Sequence, residues 1–111
     1  MPMDNVAPSA MRVVYYEAAS MLAEVVYTVP SGKVFVLTAW TISNEMWQNP
    51  TVRLLRDDER VAIARIADPE RAYVHMTFPT GIAFGPGVRL VLDAPPNSCQ
   101  HYFYGYEVDA A

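Results

Sequence analysis

Apolar positions in this chain come in short runs, cut at intervals by proline, glycine and polar pairs. The longest run, Lys33-Val34-Phe35-Val36-Leu37-Thr38-Ala39-Trp40-Thr41-Ile42, follows a Pro30-Ser31-Gly32 turn and is dominated by β-branched and aromatic residues, the composition of a strand. With side chains alternating between faces, Val34, Val36, Trp40 and Ile42 are expected on one side, and Phe35, Leu37 and Ala39 on the other. Both sides are then apolar, whereas an antiparallel strand with one wet face reads hydrophobic-in, polar-out. The pattern predicts a central strand covered on both sides, by a partner sheet on one and by a neighbouring segment or subunit on the other.

Shorter strands are expected at residues 11–17, 24–29, 51–56, 59–67, 72–78, 88–93 and 99–108. Asp57-Asp58 makes the turn of a hairpin between the third and fourth of these. Pro79-Thr80-Gly81 is expected to end the strand at 72–78, leaving Ile82-Ala83-Phe84 as a short apolar piece before Gly85-Pro86-Gly87. Even spacing with Pro/Gly punctuation, and no alternating helical stretches, predicts an all-β fold: an antiparallel sandwich of about eight strands. Jelly-roll topology is preferred because it takes that number of strands in two sheets, with an immunoglobulin-like sandwich as the runner-up. A chain of 111 residues makes one domain. Residues 1–10, with Pro2 and Pro8 and no periodicity, are expected as a flexible N-terminal arm, and 11–111 as a single β-sandwich domain.

Composition narrows the function classes. Hydrophobic residues make up 52% and charged residues 18%, on the apolar side for a small domain, which points to surface covered by another subunit. Eight basic against twelve acidic residues leave a formal charge of −4. Without a concentrated basic footprint, neither nucleic acid nor an anionic membrane is expected as a partner. The start, MPMDNVAPSAMR, has no basic region followed by an apolar stretch, and no run reaches the length of a membrane span. The expectation is a soluble chain without a signal peptide, cytoplasmic at synthesis. Cys99 is the sole cysteine, so neither an internal disulfide nor a multi-cysteine zinc site can form within one chain.

Candidate chemistry is sparse. His75 and His101 sit in strands among hydrophobic neighbours, without the closely paired histidines of a cupin-type metal site. No Gly-x-Ser-x-Gly elbow and no glycine-rich phosphate loop occurs. No catalytic residue, metal or cofactor is therefore assigned, and the chain reads as a non-enzyme. Asp57, Asp58 and Glu59 are the one dense carboxylate cluster; calcium loops space their ligands alternately, so a solvated turn is the preferred reading. The aromatics say more. Trp47 lies in a polar loop closed by Pro50, and Tyr102, Tyr104 and Tyr106 share one face of the last strand. Such rings can stack on sugars, anchor a subunit interface, or form one wall of the core.

The closing Tyr102-Phe103-Tyr104-Gly105-Tyr106-Glu107-Val108 resembles the aromatic-Gly-aromatic last strand of tumour-necrosis-factor-like jelly rolls, in which that strand lines a trimer axis. The Val29-Pro30-Ser31-Gly32-Lys33 opening, with Phe78-Pro79-Thr80-Gly81-Ile82 and Gly85-Pro86-Gly87, is similar to small jelly-roll accessory proteins of tailed-phage virions. The resemblance implies a structural protein: a jelly-roll homo-oligomer, a trimer, that decorates or connects a larger assembly such as a phage-like virion and meets a capsid or other assembly protein. Trp40, Tyr102, Tyr104 and Tyr106 are the expected interface residues. The alternative is a carbohydrate-binding β-sandwich module using Trp47, Tyr102 and Tyr104.

Overall fold

A computed structural model of the chain describes residues 11–19, 23–44, 50–66, 73–95 and 99–111. Their regular structure is all strand: β1 (Met11–Ala19), β2 (Glu24–Thr28), β3 (Lys33–Asn44), β4 (Thr51–Arg56), β5 (Glu59–Arg65), β6 (Tyr73–Phe84), β7 (Arg89–Asp93) and β8 (Cys99–Asp109). The arm expected at 1–10 and the loop residue Trp47 lie outside the described residues. Among the described residues no helix is long and apolar enough to cross a membrane.

Two four-stranded sheets, in the orders β1-β8-β3-β6 and β2-β7-β4-β5, face each other as a β-sandwich. The chain pairs with itself as if folded in half at the β4–β5 turn. β1 pairs with β8, β2 with β7, β3 with β6 and β4 with β5, all antiparallel. Two further antiparallel ladders, β3 with β8 and β4 with β7, join these pairs into the two sheets. Their inner faces meet in one core. Phe35, Leu37, Trp40, Ile42, Phe84 and Phe103 come from the first sheet, and Val52, Leu54, Ala64, Leu90 and Leu92 from the second. Burying each of the larger side chains stabilises the fold by about 1.5–3 kcal/mol.

The central strand departs from strict alternation. Both of its ladders shift register between Leu37 and Ala39, so Thr38 is an inserted residue, and a one-residue insertion reverses the phase of every side chain beyond it. Phe35 and Leu37 before the bulge, and Trp40 and Ile42 after it, all point into the core. Val34, Val36, Ala39 and Thr41 lie half-buried on the outer face. The expected grouping of Trp40 and Ile42 with Val34 and Val36 is thereby corrected: β3 has one core face, and its apolar content is not shared equally between two. The hydroxyl of Thr38 donates to the carbonyl oxygen of Tyr104 at 3.0 Å, which ties the inserted residue to β8.

A second correction falls on β6. The sequence predicts a break at Pro79-Thr80-Gly81, yet the strand runs on to Phe84. Its partners on β3 jump from Thr77 opposite Ala39 to Ile82 opposite Leu37, so residues 78–81 swell out of the ladder. β6 is a sheet edge, where proline's missing N–H costs no central hydrogen bond. Gly81 takes φ +75°, and a Cβ there would collide with the Val36 side chain.

Candidate functional site

The outer face of β1-β8-β3-β6 gathers most of the residues that the sequence singled out. β8 alternates cleanly: Cys99, His101, Phe103, Gly105 and Glu107 are buried, while Tyr102, Tyr106 and Val108 are half-buried and Tyr104 is 38% exposed. Cross-strand neighbours are set by the ladder. On β3, Val34 stands opposite Val108, Val36 opposite Tyr106, Ala39 opposite Tyr104 and Thr41 opposite Tyr102. On the far side, β1 places Val13, Tyr15 and Glu17 at the register positions of Tyr106, Tyr104 and Tyr102. The face therefore grades from apolar at Val34, Val36 and Val108 to polar at Thr41, whose hydroxyl lies 2.6 Å from Nδ1 of the exposed His75 on β6.

Gly105 sits between Tyr104 and Tyr106 on β8 and makes room on the inner side of the strand. Its position points inward, and a Cβ there would collide with the Val36 carbonyl oxygen and the Phe35 ring. With no side chain at 105, Phe35 passes across β8 from the inside while Tyr104 and Tyr106 remain outside.

Trp40 does not join the tyrosines. It is 0% exposed and stacks with Phe103 and His101 at centroid separations of 5.9 and 5.8 Å. A side chain with no surface in the single chain has none to offer a second copy, so the expected interface role of Trp40 is corrected to a core role. The physical reason is the bulge at Thr38, which turned it inward. Its indole N–H donates to His101 Nδ1 at 3.0 Å. Burial strips the imidazolium of its hydration and lowers the His101 pKa to about 4. This histidine is accordingly neutral at pH 7, with Nδ1 occupied as an acceptor. Cys99 is also buried, at 2% exposure, so its thiol is not presented to another chain.

Two carboxylate sites differ from one another. Asp57 and Asp58 form the two-residue turn between β4 and β5, with Asp57 at φ +56°, a left-handed conformation that aspartate tolerates better than most residues. Asp57 Oδ1 accepts the backbone N–H of Arg89 at 3.0 Å and its Nε–H at 3.1 Å, and these bonds hold its pKa below the usual carboxylate value. Glu59 pairs with Arg56 at 2.9 Å. Among the described residues no group of three or more His, Cys, Asp or Glu side chains is arranged to hold a metal ion.

The sequence reading missed Glu107. It is 5% exposed, faces inward, and accepts a hydrogen bond from the hydroxyl of Tyr27 on the other sheet. The available signal was its phase, since Glu107 falls on the same alternation as Phe103 and Gly105. Of the expected aromatic residues, then, the structure brings together Tyr102, Tyr104 and Tyr106 on an accessible sheet face and sends Trp40 to the core. No protein-family model matches the chain, and a search of curated proteins gives no match.

Proposed function

We propose that this chain is a non-enzymatic structural protein, an eight-stranded jelly roll that associates with copies of itself through the outer face of β1-β8-β3-β6. The strand order supports this reading: a hairpin pairing first with last, second with seventh, third with sixth and fourth with fifth, rolled so that β3 meets β8 and β4 meets β7, is what a jelly roll of two four-stranded sheets calls for. The observation that carries the association is the tyrosine column of β8, flanked by Val34, Val36 and Val108. A solvated antiparallel face is normally polar, whereas rings with an apolar body and a polar tip suit a surface that is covered on assembly. The family resemblance of the last strand favours a trimer, and with it a role decorating or connecting parts of a larger particle of the phage-virion kind.

Light scattering on the full chain at micromolar concentration tests the association directly. The expected result is an oligomer that Tyr104→Asp converts to monomer while leaving the far-ultraviolet circular dichroism unchanged. A monomeric wild-type chain at that concentration overturns the reading.

A further inference from the structure

The ladders divide the outer face of β1-β8-β3-β6 into cross-strand rows. Val108 with Val34 makes an apolar row at one end, and Val13, Tyr106, Val36 and Ala83 make the next. Tyr104 and Ala39 lie in the middle row. The fourth row reads Glu17, Tyr102, Thr41, His75 from β1 to β6. Glu17 and His75 therefore occupy the two ends of one row, about 14 Å apart at ordinary strand spacing.

His75 is exposed, and its Nδ1 lies 2.6 Å from the Thr41 hydroxyl. A hydroxyl serves as donor or acceptor, so it can hold the ring in either protonation state. The register positions around His75 carry no charge within one copy: Tyr73 and Thr77 on β6, Ala39, Thr41 and Ser43 on β3, and Tyr102 beyond them on β8.

Copies that cover this face with one another have two ways to do so, and the gradation of its rows separates them. An axis running across the strands turns one copy end for end, which lays its Glu17–His75 row over the Val36 row of the other and presses a carboxylate against apolar surface. An axis parallel to the strands keeps every row at its own level, apolar on apolar and polar on polar. It exchanges only left for right, so β6 of one copy lies beside β1 of the next. That holds for a facing pair and for a closed ring alike.

We propose that copies of the chain associate about an axis parallel to their strands, with His75 of one copy meeting Glu17 of the next. The pairing rests on the self-association proposed above and adds its symmetry and its charge contact. The fourth row is its own complement, because reversal sets imidazole beside carboxylate and threonine beside tyrosine. Imidazole gains its charge between pH 8 and 5, and the contact then becomes an ion pair. His101, the other histidine, is buried with its pKa lowered to about 4, so it stays neutral across that range. Association accordingly tightens as the pH falls.

Sedimentation velocity of the full chain at micromolar concentration, at pH 8 and at pH 5.5, is the test. Between the two, the dissociation constant of wild type is expected to fall about fivefold more than that of His75→Gln. At pH 8, His75→Glu sets carboxylate against carboxylate and weakens association about tenfold. Adding Glu17→Lys to that variant restores opposite charges and with them the wild-type association. If wild type associates but the double variant is not rescued, or if wild type and His75→Gln respond equally to pH, the axial pairing is overturned and self-association stands. A wild-type chain that is monomeric at both pH values overturns the self-association and the pairing together.

Discussion

His101 packs against Trp40 and Phe103 with its Nδ1 taken by the indole N–H, and protonating that nitrogen would set donor against donor in a buried site. Its pKa falls from an unfolded value of 6.5 to about 4 in the native state. Below pH 6.5 the unfolded chain takes up a proton that the native chain refuses, so stability is lost as pH falls towards 4 and levels off beneath it. The total is about 3 kcal/mol. Urea titrations at successive pH values should show wild type losing that much more than His101→Gln between pH 7 and 4; coincident pH profiles would show that burial does not control the ionisation. The same strand shows what sequence can tell at this scale. Alternation separated Tyr102, Tyr104 and Tyr106 from His101 and Phe103 correctly, because β8 has no bulge. It did not reveal the partners: Trp40 is 61 residues from His101 and Tyr27 is 80 from Glu107, and no local pattern encodes a bond across that span.

Elements bounded by turn chemistry were legible, and those shaped by their neighbours were not. The β4–β5 hairpin follows from Asp57-Asp58 and local propensity alone. β6 looked broken at Pro79 because the sequence does not show that the strand is an edge, where a bulge is tolerated. The phase of β3 was misread for a related reason. The insertion at Thr38 shows only in the ladders to β6 and β8, and in the sequence Thr38 looks no different from Thr41, the other threonine of the run. Deleting Thr38 restores strict alternation and so moves Trp40 and Ile42 to the outer face, with a cost of several kcal/mol from two lost core side chains. The expected outcome is loss of a cooperative thermal transition together with binding of a hydrophobic dye. A deletion variant that melts cooperatively near the wild-type temperature would show that the bulge does not set the phase.

For the molecule as a whole, the two sheets are joined by their shared apolar core and by polar links that include the Tyr27–Glu107 clasp and the Arg56 guanidinium donating to the Ala83 carbonyl oxygen at 2.8 Å. Tyr27→Phe keeps the ring, which packs edge-on against Phe35, and removes the donor to a carboxylate that is almost without solvent. The expected loss is about 1–3 kcal/mol in denaturant midpoint measurements, and Glu107→Gln in the same background should return part of it by removing the buried charge. A loss within a few tenths of a kcal/mol would mean that the clasp contributes nothing net. The arrangement of ladders also governs how the fold is reached. β8 lies between β1 and β3, so the earliest-made strand waits for the latest. While the polypeptide is leaving the ribosome, the β4–β5 hairpin can form at once, but β1 and β3 carry bare edges until Asp109 has emerged. Non-local closure of that kind is slow, and bare edges invite pairing with other chains. Chaperone shelter during those seconds, or a fused carrier that delays crowding, is the practical requirement that this strand order places on anyone producing the protein.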